Sequence, residues 1–188
     1  MPPGQRAPKD LHTPPDPARP GTHVTFVVPV RNDEAGLSRC LGSIHRQAAP
    51  AVRVVVVDNG SLDGSADVAR DAGAIVLSAP HAKVGELRNL GATAAGTPLL
   101  AFVDADHELD PGWIEAAVET LNTPGVAAVG APYSPPLSPT WVQRLYDTFR
   151  DHTPGTQRTK WLGAGNLAVR ADAFWHVGGF DTALDPCG

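Results

Sequence analysis

The feature that most narrows the fold is a set of short runs that stay apolar at nearly every position rather than at alternate ones. Val24-Thr25-Phe26-Val27-Val28-Pro29-Val30, Val52-Arg53-Val54-Val55-Val56-Val57 and Leu99-Leu100-Ala101-Phe102-Val103 are short and rich in β-branched or aromatic residues, so each predicts a strand. A strand apolar on both faces belongs in a parallel sheet covered on both sides. Pro29, near the end of the first run, predicts that the last backbone donor is not needed for pairing.

Between these runs the periodicity turns helical. Leu37, Cys40, Leu41 and Ile44 recur at i, i+3, i+4, i+7 behind Asn32 or Asp33 as N-cap. Asp63 predicts the cap of a second helix carrying Ala66, Val68, Ala69 and Ala72; Gly73 stops it before the strand Ala74-Ile75-Val76-Leu77. A third helix over Val84–Ala95 puts Val84, Leu87, Gly91 and Ala94 on one face, with Gly96 and Pro98 behind it. Asp110 and Pro111 open a fourth helix, and Gly125–Gly130 predicts a fifth strand. Alternating strands and helices joined by right-handed crossovers give an α/β fold: a doubly wound, mostly parallel sheet with helices on both faces.

The flanks read differently. Residues 1–22 hold seven prolines and predict a disordered leader, which leaves 23–188 as one domain. Four prolines from Pro132 to Pro139 predict a mobile loop, and Trp141–Arg150 a short helix with Trp141, Leu145 and Phe149 on one face. A glycine turn at Gly163–Gly165 runs into a strand ending at Arg170, with a helix over Ala171–Val177.

Charge and composition remove some functions. A net charge of −5 without a Lys/Arg cluster argues against nucleic acid as a partner. Two cysteines, Cys40 and Cys187, supply no disulfide framework, so a reduced, cytoplasmic chain is expected, with peripheral contact at a membrane left open. The N-terminus has no apolar signal core, and no apolar run approaches the roughly 18 residues of a membrane span.

The polar residues that stand out follow the strands. Arg31 and Asn32 follow the first, Asp58 the second, and Asp104 and Asp106 the fourth. In a doubly wound sheet the ligand crevice lies beyond the carboxyl ends of the strands, where the strand order reverses. If the first strand lies between the second and the fourth, these residues share one crevice. Two carboxylates spaced i, i+2 repel each other, and a divalent cation such as Mg²⁺ or Mn²⁺ removes that cost by taking their oxygens. The plainer alternative is a strand running into an acidic surface turn. His107 reads as an ordinary polar loop residue, with a ligand role as the alternative.

The segments Thr25–Asn32, Val57-Asp58-Asn59-Gly60-Ser61-Leu62-Asp63-Gly64-Ser65, Arg88-Asn89-Leu90-Gly91, Phe102-Val103-Asp104-Ala105-Asp106, Gly163-Ala164-Gly165-Asn166 and Gly178-Gly179-Phe180-Asp181 together resemble those of family-2 glycosyltransferases with the GT-A fold. They occur in the family's order across residues 24 to 185. The resemblance implies transfer of a sugar, with inversion, from a nucleotide-diphosphate donor, a UDP-sugar in the first instance. The acceptor would be a sugar, a lipid or a small molecule. It implies that Pro29, Val30 and Arg31 line the base and ribose and that Asp58 accepts a hydrogen bond from the base. Arg88 would reach Asp58 or the diphosphate, Asp104 would hold the ribose or the metal, and Asp106 would ligate a Mn²⁺ or Mg²⁺ ion. Trp161, Gly165 and Asn166 would face the acceptor, Trp161 by stacking on a sugar or, alternatively, as a core residue beside Trp175.

The resemblance thins toward the end. The family's usual base is an acidic residue just beyond the Gly-Gly-Phe-Asp element, and the acids in that region here are Asp181 and Asp185. Asp181 reads as a turn cap and Asp185 lies near a fraying end, so the base is unassigned between these weak candidates and the domain reads as C-terminally incomplete. Two alternatives follow. One is a nucleotide-sugar-binding module without turnover. The other is a haloacid-dehalogenase-like phosphatase, in which the first Asp of Asp-x-Asp would be a nucleophile.

Overall fold

The computed structural model describes residues 24–47, 52–136, 138–149 and 155–184. The proline-rich leader and Asp185 therefore lie outside the described residues. The elements run β1 Val24–Val30, α1 Glu34–His45, β2 Val52–Asp58, α2 Ser65–Asp71, β3 Ile75–Ser78, α3 Val84–Thr93, β4 Leu99–Val103, α4 Trp113–Leu121, β5 Ala128–Gly130, α5 Trp141–Asp147, β6 Asn166–Arg170 and α6 Ala171–His176.

Six strands form one sheet in the order β3-β2-β1-β4-β6-β5. β1 pairs in parallel with β2 and β4, and β2 with β3, so β1 lies between the two strands that carry the acidic tips. β6 runs antiparallel to both β4 and β5. The expected fifth strand is shorter than its apolar run: pairing is confined to Ala128–Gly130, opposite Leu167–Val169.

All seven residues of β1 are buried. Its alternate side chains feed two cores, as a parallel sheet covered on both faces requires. Phe26, Val28 and Val30 join Leu37, Cys40, Leu41 and Ile44 of α1, Ala69 of α2, and Ile114, Ala117 and Leu121 of α4. Val27 joins Val55, Val57, Leu87 and Ala92 of α3 and Phe174 of α6 on the other face. The β1–β4 register ends at Val27↔Phe102, while Asn59 N donates to Val30 O at 2.9 Å. Val30 thus faces β2, and Pro29, turned the other way, lies past the end of the β4 pairing where its missing donor costs nothing. There the sheet splits.

Local details depart from expectation. α4 starts at Trp113 behind Gly112, whose φ is 83°, so Asp110 and Pro111 precede the helix rather than open it. The N-cap of α2 is Gly64 rather than Asp63. Asp63 Oδ1 instead accepts from Ser65 N (3.1 Å) and Oγ (2.6 Å), and its Oδ2 accepts from Glu34 N at 3.1 Å, tying the β2–α2 loop to α1. The buried residues of α3 include Leu87 and Gly91 as expected, but also Arg88 and Ala92, while Val84 and Ala94 are half-buried. On α5 and beyond, Trp141, Leu145 and Phe149 are all exposed, so the expected stripe is not a packed face among the described residues. No helix among the described residues is long and apolar enough to cross a membrane.

Candidate active site

The tips of β1, β2 and β4 converge because β1 is central. On β2, Asp58 is buried, and its Oδ1 accepts from Ser61 N at 3.0 Å, the local turn that an Asp in this position favours. Facing it, Asn32 has a left-handed φ of 51° and is laced to the same turn: its N donates to Ser61 Oγ at 3.0 Å and its Oδ1 accepts from Leu62 N at 2.7 Å. The two loops are one unit. Pro29 and Val30 are buried at its base and Arg31 is exposed above them.

On β4, Asp104 leaves the strand half-buried. Its Oδ1 pairs with Arg88 Nη2 at 2.6 Å, so the guanidinium engages this carboxylate and not Asp58. Of the two partners expected for Arg88, Asp58 or the diphosphate, the structure replaces the first with Asp104. The helix turns Arg88 inward, to 8% exposure, because Leu87, Gly91 and Ala92 bring that side of α3 against the sheet. Asp104 N donates to Gly165 O at 3.2 Å, and His107 N donates to Asp104 O at 3.0 Å, closing a tight turn after β4.

The His107 ring is anchored across the fold. Its Nδ1 lies 2.9 Å from Gly165 O, so with a carbonyl as partner that nitrogen carries the proton. Nε2 points the other way, 3.8 Å from Asp106 Oδ1. The ring is held from the side by Tyr133, at 4.8 Å between centroids. One ligand atom each from Asp104, Asp106 and His107 lie within 4.8 Å of one another. The sequence offers the ligand role of His107 only as the alternative because the group that anchors its ring, Gly165, is 58 residues away.

Two carboxylates and an imidazole whose far nitrogen is committed to a carbonyl are a chemically coherent donor set for a divalent ion. Glu108 stands outside it, paired with Arg39 at 3.3 Å. Cys40 lies beneath, its Sγ donating to Asp104 O at 3.6 Å. Burial, then the Asp104, Asp106 and Glu108 carboxylates, push its thiol up to about 12, which makes it a core residue rather than a nucleophile.

The residues expected to face the acceptor separate. Gly165 is buried against Asp104 and His107, where a β-carbon would run into the Asp104 carboxylate. Asn166 has both ends of its amide engaged: Oδ1 accepts from Trp113 Nε1 at 2.7 Å and Nδ2 donates to Ala131 O at 3.2 Å. Trp161 is 78% exposed, which overturns its alternative reading as a core residue. Asp181 is exposed, and its Oδ1 accepts from Ala183 N at 2.8 Å as a turn residue would.

Residues 25–176 match the sequence model of the family described as Glycosyl transferase family 2. The chain belongs to this family. Glycosyltransferase AglE of Haloferax volcanii is 31% identical over 173 residues, which cover 86% of this chain and 57% of that protein. The validoxylamine A glucosyltransferase of Streptomyces hygroscopicus is 28% identical over 201 residues, 84% of this chain and 44% of that protein. The chain spans about half the length of these curated relatives. Among solved structures, the mannosyltransferase PcManGT from Pyrobaculum calidifontis, in complex with GDP-Man and Mn²⁺, superposes with a TM-score of 0.69 at 23% identity, over 90% of this chain and 50% of that one. S. aureus TarS superposes with a TM-score of 0.69 at 18% identity, over 87% of this chain and 52% of that one. The fold is therefore that of GT-A glycosyltransferases, and the family-2 membership sets aside the phosphatase alternative.

Proposed function

We propose that this family-2 domain binds a nucleotide-diphosphate sugar, a UDP-sugar in the first instance, across the tips of β1, β2 and β4, and transfers the sugar with inversion to a sugar, lipid or small-molecule acceptor. The observation that carries the reading is the meeting of Asp104, Asp106 and His107 within 4.8 Å at the point where β1 and β4 part. Relatives in solved structures support it: PcManGT is in complex with GDP-Man and Mn²⁺, and a glucosyl-3-phosphoglycerate synthase from Mycobacterium tuberculosis with UDP and Mn²⁺.

Asp106 and His107 would hold the Mn²⁺ or Mg²⁺ ion, with Asp104 beside them. When bound, such an ion stabilises the negative charge that builds on the departing diphosphate. The chain's own residues supply the rest. Asp58 accepts an N–H from the base, against a floor of Pro29 and Val30, with Arg31 at the rim. Arg88 fixes the Asp104 carboxylate so that it need not reorganise when the donor enters. Gly165 leaves room for that carboxylate, Asn166 positions the turn through Trp113 and Ala131, and exposed Trp161 offers a face for an acceptor sugar to stack on. The buried thiol of Cys40 suits a reducing, cytoplasmic setting.

A second reading, a nucleotide-sugar-binding unit without turnover, draws on Asp181, whose carboxylate is spent on the Ala183 turn. The two are separated by measuring binding and turnover side by side. Calorimetry with UDP and with GDP, each in Mn²⁺, Mg²⁺ or chelator, is expected to show metal-dependent binding that Asp106→Ala abolishes. Release of nucleoside diphosphate above the enzyme-free control establishes turnover; binding without release leaves the second reading. Equal affinity for Asp106→Ala and the native chain in Mn²⁺ would overturn both.

A further inference from the structure

Arg88 and Asn89 are neighbours on α3 that face different partners. Arg88 turns inward to Asp104, whereas the Asn89 amide clamps a single residue of the segment after α6. Its Oδ1 accepts from Phe180 N at 2.9 Å and its Nδ2 donates to Phe180 O at 2.8 Å. This is the pairing one strand makes with another, supplied by a side chain. The turn it holds is built for it. Gly178 and Gly179 have φ of +89° and +77°, and a β-carbon on Gly179 would come within 2.7 Å of Asn89 Oδ1. Gly85, one turn earlier on α3, lets the segment lie flat: a β-carbon there would be 3.4 Å from Asp181 O and 3.5 Å from Phe180 Cβ.

The clamp places one ring. Phe180 sits with its face 5.5 Å from Arg88 Cζ, and the same ring meets Phe102 of β4 at 5.0 Å and Phe174 of α6 at 5.4 Å. Phe102 lies two residues before Asp104 on β4, so the Phe180 ring lies against Arg88 and against the strand that carries Asp104. The guanidinium needs this support. Arg88 is 8% exposed and its Nε is buried with no hydrogen-bond partner, so few contacts fix the plane of the fork.

From this geometry we infer that Phe180 and Asn89 are positioning residues of the donor site: the Gly-Gly-Phe turn, strapped to α3 by Asn89, sets the Phe180 ring against Arg88 and thereby fixes the Asp104 carboxylate for the metal–nucleotide complex. The inference rests on the donor-site reading above. It ties the segment after α6, 76 residues along the chain from Asp104, to the sheet tips through one helix.

The test uses the 188-residue chain with UDP or GDP and Mn²⁺ as probes, whichever binds more tightly, measured by calorimetry alongside thermal unfolding. Phe180→Leu and Asn89→Ala are expected to weaken metal-dependent binding about tenfold, as loss of an outer partner of a metal site does. Phe180→Tyr, which keeps the ring, is expected to stay within about twofold on the same reasoning. Phe174→Leu is the control: it thins the same aromatic cluster without contacting Arg88, so it is expected to lower the melting temperature and leave affinity within about twofold. Asn89→Ala retains all three aromatic side chains while releasing the strap that positions Phe180, and it carries the test if Phe180→Leu does not fold. Native affinity in folded Asn89→Ala, or an equal loss in Phe174→Leu, overturns the inference and spares the donor site. No binding by the native chain overturns the donor site and the inference together.

Discussion

Gly165 stands against Asp104 with no room for a side chain: a β-carbon at 165 would run into the Asp104 carboxylate and lie 3.1 Å from His107 Cε1. The φ of Gly165 is not left-handed, so space rather than backbone freedom is what the glycine supplies. Gly165→Ala is therefore expected to push Asp104 and His107 apart and to weaken Mn²⁺-dependent nucleotide binding by about tenfold. Calorimetry checks it. A variant with native affinity and native melting would show that the carboxylate is free to move aside.

His107 can be split into its two nitrogens. An Asn at this position places an N–H where Nδ1 now meets Gly165 O, but removes Nε2; a Gln reaches the Nε2 position and gives up the Gly165 contact. If Nε2 binds the ion, His107→Asn keeps the fold and loses about 10- to 100-fold in Mn²⁺ affinity. His107→Gln retains more of it and shifts preference from Mn²⁺ toward Mg²⁺, because an amide oxygen replaces an imidazole nitrogen. Electron spin-echo spectroscopy on the Mn²⁺-loaded native chain checks the same point directly. The absence of a coupled imidazole nitrogen would remove His107 from the ligand set.

Gly91 lets α3 approach the sheet. A β-carbon there would collide with Val27 Cγ1 and lie 3.1 Å from Val57 Cγ2. Ordinarily Gly→Ala inside a helix stabilises by up to about 1 kcal/mol. Overpacking a core costs about 1–3 kcal/mol, so here the sign reverses and Gly91→Ala is expected to be less stable by about 1–2 kcal/mol in urea unfolding. A more stable variant would mean that α3 slides without cost.

Cys40 has its thiol raised to about 12 from 9.0, chiefly by burial. A raised pKa means that between these values the folded chain holds a proton the unfolded chain has lost. Stability is therefore unaffected below about pH 9 and falls as pH rises beyond it, by up to about 1.4 kcal/mol per pH unit from this group. Urea midpoints from pH 8 to 11 are expected to fall less steeply in Cys40→Ala. At pH 8.5, iodoacetamide labelling mapped to the Cys40 peptide should require denaturant; rapid labelling of the native chain would contradict its burial.

Much of the candidate site at the strand tips was legible because it is local. Apolar runs that end in Asp58 and Asp104 report strands whose tips carry polar groups, and the strand–helix alternation fixes which end of the sheet they occupy. Asp33, which does cap α1 by accepting from Gly36 N at 2.9 Å, follows from the same short-range chemistry. Arg88 was harder. A cation at a helical position is solvated in most sequences, and its inward turn depends on Gly91 admitting the helix to the sheet.

The sequence by itself determined the strand–helix order, the two-sided burial of β1, β2 and β4, and the residue types waiting at their carboxyl ends. Hydrophobic periodicity and turn chemistry act over a few residues, and they survive in one dimension. Only the tertiary structure decided that β6 returns antiparallel beside β4, that Gly165 O locks the His107 ring, and that Asn89 and Phe180 brace Arg88 against Asp104. Each of those is a contact between segments dozens of residues apart, set by which surfaces the packed sheet brings together.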